Sequence, residues 1–422
     1  MAQQKKRTKW EQFSRLFLAH GSIDVSFFVI VLLLLCLGLV MVYSASYPIS
    51  YSKFGTSTVY IKKQLGFAAV GLVGMLFISK INYKRLKVIA AIVGYLGSLV
   101  LLIAVFFEPS SDDIHRWIYI GGQQIQPSEF AKLGLILFCA YVLSEWHEKT
   151  VSKKELQWGR KINAFFRVPL INESLIPIGV CGGAIALFVA LVFLESHLSG
   201  TVLMALIGVV MLYLGGVRKK WFICGFILLS LVVVVLYTST DFFRGYMVER
   251  IESWLDKDAD PLGARWQTNQ ALYAIGSGGL FGTGLGGSKQ KYLYVSEPQN
   301  DMIFSIICEE TGVIGAGLII LLFCLLIWRG VVIGINAEDR YGMLLSMGIV
   351  FQVGAQVFLN IAVATDTLPN TGISLPFFSA GGTSLVIMML EMGLLLSISR
   401  QSRLRKGTVS KSSAKRIETE ET

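Results

Sequence analysis

The stretch Tyr294-Val-Ser-Glu-Pro-Gln-Asn-Asp301 leads directly into an apolar segment that begins Met302-Ile-Phe-Ser-Ile-Ile and continues to about residue 328. An apolar run of this length is sufficient for an α-helix to cross a bilayer. Carboxylates at its start and within it, Asp301 and the pair Glu309 and Glu310, are costly in hydrocarbon and indicate a functional site. We therefore predict that Asp301 is the reacting group and that the rest of the chain is arranged around it.

The composition predicts a polytopic membrane protein. Of the 422 residues, 54% are hydrophobic and only 16% are charged. Ten apolar runs predict ten transmembrane helices near residues 25–46, 61–79, 86–107, 128–146, 174–194, 200–217, 221–239, 302–328, 341–364 and 381–399. A β-barrel would show short alternating segments instead, so the fold class is all-α.

The distribution of basic residues predicts the orientation. Most of the 38 lysines and arginines lie in alternate segments between spans, in 1–24, 80–87, 147–173, 218–220, 329–340 and 400–422. The positive-inside rule then places both termini in the cytoplasm, with a basic N-terminus over 1–24, a membrane domain over 25–400 and a basic tail over 401–422. Because the formal charge of +10 is explained by these segments, no nucleic-acid partner is predicted.

The segment 240–301 is predicted to be a large extracellular loop between spans seven and eight. Within it, Phe243, Met247, Ile251 and Trp254 recur at helical spacing, which is typical of a helix in the membrane interface or of one packed on the bundle. The following glycine-rich run, 276–287, contains G-x-G-x-x-G without the βαβ context of a dinucleotide site. We predict no organic cofactor, and we expect the run to admit a bulky ligand close to the backbone.

Two further loops on the predicted outer side carry candidate site residues. Glu129 and Lys132 lie three apart on one helix face, which predicts an ion pair; with Arg116 they also suit a cationic pocket for a phosphorylated headgroup. The non-helical stretch 365–380 is expected to line the same cavity. His197 is interpreted as a hydrogen-bonded loop residue rather than a metal ligand or base.

Several motifs in order resemble one family. They are Gly38-Leu-Val-Met-Val-Tyr-Ser-Ala-Ser46, Gln126-Pro-Ser-Glu-Phe-Ala-Lys132, Gly282-Thr-Gly-Leu-Gly286, Glu297 to Phe304, Gln356 to Asn360 and Leu368 to Gly382. The chain is similar to the SEDS family (shape, elongation, division and sporulation), whose FtsW, RodA and SpoVE members are ten-span enzymes that polymerise lipid II into glycan strands. The resemblance is strongest to the FtsW type.

The resemblance implies residue roles. Asp301 matches the family's essential aspartate, and it would act as general base on the acceptor hydroxyl while undecaprenyl pyrophosphate leaves. Lys132, Arg116 and Glu129 match polar residues of the central cavity. Three further residues of the shared motifs are assigned to binding of substrate or pyrophosphate: Gln126, Glu297 and Ser379. Whether a divalent cation, Mg²⁺ or Mn²⁺, takes part is left open. In that alternative, Asp301 would bind the cation instead of acting as the base.

The resemblance also implies partners and location. The partners would be lipid II, a class B penicillin-binding protein transpeptidase, other divisome proteins and membrane lipids, and the site would be the septal cytoplasmic membrane of a bacterium. A RodA-type elongation polymerase and a lipid II flippase are the alternatives, and a scaffold is the weakest. The concentration of polar motifs on one side, without an evident internal repeat, favours an enzyme over a carrier.

Overall fold

The architecture is that of a helical bundle. The structure, a computed structural model, describes residues 18–19, 21–108, 116–121, 123–151, 175–227, 230, 252, 254–256, 263 and 265–402. The helices are α1 Val25–Phe54, α2 Val59–Ser79, α3 Tyr83–Ala104, α4 Pro127–Val151, α5 Leu175–Leu194, α6 Leu198–Leu214, α7 Trp266–Gly278, α8 Ile303–Ile335, α9 Arg340–Ala364 and α10 Gly382–Arg400. A short 3₁₀ turn, Val105–Phe107, extends α3.

Eight of these helices, all except α6 and α7, are long and apolar enough to cross a membrane, counted over the described residues. They confirm the predicted all-α polytopic fold. The predicted sixth span coincides with α6, which has 17 residues. The predicted seventh span, 221–239, lies largely outside the described residues, although 219–227 is helical.

Capping and an ion pair fix the relation of α1 to α8. The Asp24 carboxylate accepts a hydrogen bond from the Phe27 backbone N–H at 3.0 Å, so it satisfies one of the free donors at the start of α1. The same carboxylate lies 2.8 Å from the Arg329 guanidinium near the far end of α8. The start of α1 therefore meets the end of α8, and the two helices run in opposite directions.

The packing order places polar residues in the centre. The main helix contacts are α2 with α10, α3 with α4, and α8 with both α1 and α9. Helices α4, α9 and α10 are mostly buried, whereas α2 and α3 are mostly exposed. Because the exposed surface of a membrane bundle meets lipid, the polar side chains of α4, α9 and α10 are directed into the protein.

Two elements depart from the prediction. The segment between α3 and α4 contains a two-stranded antiparallel hairpin, β1 Ile118–Ile120 and β2 Gln123–Ile125, with Ile118 opposite Ile125. The middle third of the predicted extracellular loop contains a helix that was not predicted, α7, which packs along α8. Of the four apolar residues of the predicted interfacial helix, Trp254 is described, and its indole N–H donates to the Asp366 carbonyl at 3.1 Å. Phe243, Met247 and Ile251 lie outside the described residues.

The glycine run is used differently from our expectation. A Cβ on Gly278 would come within 2.1 Å of the Cys308 carbonyl oxygen, and one on Gly282 within 2.2 Å of the Glu310 carbonyl oxygen. These two glycines therefore admit the backbone of α8 rather than a ligand. The expectation of a ligand was wrong at these positions because it ignored the neighbouring helix.

Candidate active site

A cavity of about 290 Å³ opens at the end of the bundle where α4, α8 and α10 begin. We call this the cavity end. Six of the seven predicted site residues line it: Arg116, Gln126, Glu129, Lys132, Asp301 and Ser379. They come from four separate segments of the chain, so the fold confirms that these segments meet.

The predicted ion pair on α4 is confirmed. Lys132 Nζ lies 2.8 Å from Glu129 Oε1, and the residues are 3% and 5% exposed. Ser384 Oγ on α10 donates to the other Glu129 oxygen at 3.2 Å. The pair is thus buried in protein but borders the cavity, where the ammonium can meet an anionic ligand.

Asp301 is held from its backbone. The Asn360 side-chain amide on α9 donates to the Asp301 carbonyl at 2.8 Å and to the Ile373 carbonyl at 2.7 Å. Gly372 has φ 73°, and a Cβ there would lie 3.1 Å from Asp301 Oδ2. Since only glycine adopts this conformation readily, the segment 365–381 can pass directly beside the carboxylate and fix its place in the cavity.

Ser379 lines the cavity and also ties two loops together. Its hydroxyl accepts from the Leu375 N–H at 2.7 Å and donates to the Asn300 carbonyl at 2.9 Å. The Ala380 N–H donates to the Gln299 carbonyl at 2.8 Å. The hydroxyl therefore positions the residues that precede Asp301, and its assignment to substrate binding stays a prediction.

The loop between α5 and α6 forms another wall. The Arg116 guanidinium donates to the Ser196 carbonyl. His197 Nδ1 lies 3.3 Å from Ser128 Oγ, so its interpretation as a hydrogen-bonded loop residue is confirmed. Burial, followed by the positive charges of Arg116 and Lys132, lowers the pKa of His197 to about 3, which keeps the ring neutral.

Glu195, in the same loop, is fully buried. Neither of its carboxylate oxygens has a hydrogen-bond partner among the described residues. Burial raises the pKa of Glu195 to about 8, and the Arg116 charge opposes this shift. The side chain is therefore neutral at pH 7.

Three predicted carboxylates lie elsewhere. Glu297 does not line the cavity; it is half exposed, lies 3.8 Å from Lys53, and accepts from the Asn300 amide at 2.6 Å. Glu310 is buried in an ion pair with Lys291 at 2.8 Å, and Glu309 accepts the Lys289 backbone N–H at 2.8 Å. Glu297 thus lies outside the cavity, and its assignment to substrate binding stays a prediction that its position does not support. The functional interpretation of Glu309 and Glu310 also stays a prediction, because turn geometry and distant partners decide where these side chains point.

Polar residues that the sequence prediction missed lie on α9 and α10. Gln356 lines the cavity, and Gln352, one turn away, donates to the Glu391 carboxylate at 2.8 Å. Glu391 is 0% exposed, at the middle of α10. The spacing of Gln352, Gln356 and Asn360, four residues apart in an apolar helix, places them on one face and could have identified it.

The described residues contain no group of three or more His, Cys, Asp or Glu side chains placed to hold a metal ion. Glu129 is already paired with Lys132. Asp301 could therefore supply one carboxylate to a cation, but the described side chains do not form a metal site by themselves. Mg²⁺ is commonly held by one or two carboxylates together with substrate phosphates, and a ligand set of that kind would fit here.

Two relatives are similar to this protein over most of the chain. The chain is 39% identical over 384 residues to stage V sporulation protein E of Bacillus subtilis (strain 168), covering 90% of this chain and 98% of that protein. It is 34% identical to the probable peptidoglycan glycosyltransferase FtsW of Geobacter sp. (strain M18), with 90% and 97% covered.

Two solved structures share the fold. One was reported as "Structural coordination of polymerization and crosslinking by a peptidoglycan synthase complex" and matches with a TM-score of 0.65 at 23% identity, over 90% of this chain and 98% of that chain. The rod shape determining protein RodA of Thermus thermophilus matches with a TM-score of 0.60 at 23% identity, with the same coverage. The family model for FtsW, RodA and SpoVE, described as "Cell cycle protein", matches residues 24–404. The chain therefore belongs to the FtsW, RodA and SpoVE family, the SEDS family.

Proposed function

We propose that this protein is a peptidoglycan glycosyltransferase that polymerises lipid II into glycan strands during cell division. The observation that carries the proposal is the cavity in which Asp301 meets the buried Lys132–Glu129 pair and Arg116. The name of several relatives, "Probable peptidoglycan glycosyltransferase FtsW", supports the reaction class.

In this proposal Asp301 acts as the general base. Its carboxylate takes the proton of the acceptor sugar's 4-hydroxyl as that oxygen attacks the anomeric carbon of the lipid-linked chain. The bond from the anomeric carbon to the pyrophosphate oxygen breaks, and undecaprenyl pyrophosphate leaves with the bonding electrons. A single displacement of this kind inverts the anomeric centre. Asn360 and Gly372 support the step because they fix Asp301 beside the cavity.

Residues of α4 and of the segment before it would stabilise the negative charge of the leaving group. The pyrophosphate gains negative charge as it leaves, and preplaced cations in a water-poor cavity stabilise that charge strongly. Lys132 and Arg116 are the cations, and Glu129 with Ser384 holds Lys132 in place. Gln126 and Ser379 contribute polar lining. In the alternative role, Asp301 would hold a divalent cation, Mg²⁺ or Mn²⁺, instead of acting as the base, and the cation would supply further charge neutralisation for the leaving group.

We further propose that the cavity end faces away from the cytoplasm and that both termini are cytoplasmic. The basic residues Lys84, Lys87, Arg329 and Arg400 lie at the opposite end of the bundle, where Lys84 pairs with Glu338 and Lys87 with Glu145. This distribution accords with the positive-inside rule. Lipid II carries its own leaving group, so a reaction on the outer face needs no cytoplasmic energy source.

A class B penicillin-binding protein transpeptidase is the proposed partner, together with other divisome proteins at the septum. The fold match to a structure of a peptidoglycan synthase complex that joins polymerisation and crosslinking supports such a partner. The family also contains the sporulation protein named above and RodA, so an elongation role is the alternative within the same chemistry.

The test is polymerisation of labelled lipid II by purified protein in liposomes, with and without a cognate class B partner and Mg²⁺ or Mn²⁺, followed by gel analysis of glycan strands. We expect a ladder from the parent and its loss in Asp301→Asn. Glu297→Gln is the matched control, because it lies four residues away but outside the cavity, and it should retain the ladder.

A lipid II flippase is the rival outcome of the same preparation. If folded parent protein makes no ladder with its partner present, but moves labelled lipid II between leaflets of the vesicle, the polymerase proposal is wrong. An Asp301→Asn protein that polymerises like the parent would instead overturn the role of the carboxylate.

A further inference from the structure

Residues 279–287, the turn that follows α7, expose large apolar side chains. Leu280, Phe281 and Leu285 are 63%, 81% and 66% exposed. Apolar groups of this size at the end of a hairpin-like turn need a partner that shields them from water. The position of the turn relative to the membrane identifies that partner.

Polar contacts between α1 and α8 mark the two edges of the membrane. At one edge Asp24 pairs with Arg329, and at the other Ser44 Oγ donates to Glu310 at 2.7 Å. Asp24 and Ser44 are separated by about 20 residues of helix, and Glu310 and Arg329 by about 19, which corresponds to roughly 30 Å along each helix. The hydrocarbon core of a bilayer is also about 30 Å thick.

The Ser44–Glu310 contact therefore lies at the hydrocarbon boundary of the cavity-side leaflet. Exposed aromatic side chains at the same level agree with this assignment. Tyr43 and Tyr47 on α1 are 41% and 40% exposed, with their rings 6.4 Å apart. Tyrosines are enriched where a membrane protein crosses from lipid to water.

The turn lies on the lipid side of this boundary. The Val313 N–H donates to the Gly279 carbonyl at 3.0 Å, and the Ile314 N–H donates to the Leu280 carbonyl at 3.2 Å. Ile314 follows Glu310 by four residues, in the direction in which α8 enters the membrane. Leu280 is thus level with acyl chains rather than with water, and Phe281 follows it.

The polar backbone groups of the turn are also hydrogen-bonded within the protein, as a position inside the membrane requires. Helix α8 is broken at Gly312, with φ 67° and ψ −174°. The break leaves carbonyl groups of α8 to be satisfied, and the Thr283 and Gly284 N–H groups donate to Glu309 and Glu310 at 2.9 and 3.0 Å. Non-helical backbone persists at this depth only when its polar groups are paired within the protein.

We infer that residues 279–287 form a re-entrant anchor that inserts Leu280 and Phe281 among the acyl chains of the cavity-side leaflet and holds Leu285 at the hydrocarbon boundary, with phospholipid as the ligand. The exposed polar residues that follow, Lys289, Tyr292 and Tyr294, then lie at headgroup level. This order, apolar at the tip and cationic or aromatic at the base, is that of an interfacial anchor. The anchor ties the chain that leads to Asp301 to the lipid surface.

Photocrosslinking of the full chain in phosphatidylethanolamine and phosphatidylglycerol nanodiscs tests the inference. Phe281→p-benzoylphenylalanine, after irradiation and mass spectrometry, should give covalent phospholipid adducts. Leu285→p-benzoylphenylalanine is the second probe, in case the first variant fails to fold. The matched control is Tyr119→p-benzoylphenylalanine, an exposed aromatic position on the hairpin that precedes α4, where lipid adducts should be absent.

The opposite results are equally clear. Adducts from positions 281 and 285 to a peptide of this chain would mean that protein covers the turn, and the lipid assignment would be wrong. Absence of any adduct at both positions in folded protein would place the turn in water and overturn the inference as well. Neither result bears on polymerisation at Asp301.

Discussion

Two buried lysine–glutamate pairs in this protein have the same geometry and different surroundings. Lys132 and Glu129 are 2.8 Å apart, as are Lys291 and Glu310, and all four residues are 5% exposed or less. The first pair lines the cavity. The second lies off it, where Ser44 donates to Glu310 and also lies 3.2 Å from Lys291 Nζ.

The comparison teaches that a buried charge in a membrane span is a site only when it borders a space that a ligand can enter. The Lys291–Glu310 pair, which we call the sealed pair, joins α1, the loop after α7 and α8. Among the described residues, its charges contact each other, Ser44 and, for Lys291, the Tyr292 ring at 5.9 Å. The Lys132–Glu129 pair, which we call the cavity pair, can be rearranged by an anionic ligand that enters the cavity. Loss of one charge should therefore cost mainly stability in the sealed pair and mainly activity in the cavity pair.

The largest effect is expected when the sealed pair is broken. Lys291→Met leaves the Glu310 carboxylate buried without its cation, which typically costs about 3–5 kcal/mol of unfolding free energy. Thermal unfolding of purified protein in detergent should show a large fall in the melting temperature. Adding Glu310→Gln to the same chain removes the unpaired charge and should recover most of the loss.

If Lys291→Met melts with the parent, then Glu310 is compensated by something other than Lys291. The predicted difference in stability between the sealed pair and the cavity pair would then be wrong.

The next effect is expected in activity. Lys132→Met removes a cation that we assign to the departing pyrophosphate, and loss of one such preplaced group typically lowers turnover by about 10²–10³-fold. The melting temperature should fall less than in Lys291→Met, because Glu129 keeps its bond to Ser384 and borders the cavity. The lipid II ladder and a melting curve, both from one preparation, measure the two quantities.

Lys132→Arg keeps the charge and is the control; it should recover part of the turnover. A Lys132→Met protein that polymerises normally but unfolds as early as Lys291→Met would show that both pairs are structural.

Much of the fold was predictable because it depends on short-range signals. Apolar runs of span length identified all eight span-length helices among the described residues, and the three-residue spacing of Glu129 and Lys132 predicted their pair. Asp24 before the first apolar run is an ordinary helix cap. Such features are set by neighbours along the chain, so the sequence alone specifies them.

The sequence did not predict the positions that depend on distant contacts. Glu297 and Asp301 are four residues apart, yet only Asp301 lines the cavity, because the chain turns between them and Glu297 itself has φ 52°. Glu310 meets Lys291 from a loop and Ser44 from α1, and no periodicity encodes those contacts. Glu391 was missed although a carboxylate at the centre of an apolar span is itself a signal.

The effect that is smallest near pH 5, and that gives the sharpest test of what pairing does, comes from Glu195, a buried carboxylate without a hydrogen-bonded partner among the described residues. Burial raises the pKa of Glu195 to about 8 from the ordinary glutamate value of 4.5. Between these values the folded protein holds a proton that the unfolded chain has released, so the stability that Glu195 contributes is full below the unfolded pKa and is lost as the pH rises toward 8.

Glu195→Gln does not titrate. The difference in melting temperature between Glu195→Gln and the parent should therefore shift in favour of the variant from about pH 5 to about pH 8 and remain constant above that. The difference between Glu297→Gln, a change at a half-exposed position, and the parent should not change with pH. A constant difference between Glu195→Gln and parent across this range would mean that Glu195 is ionised in the folded protein, and that Arg116 pairs with it as Lys291 pairs with Glu310.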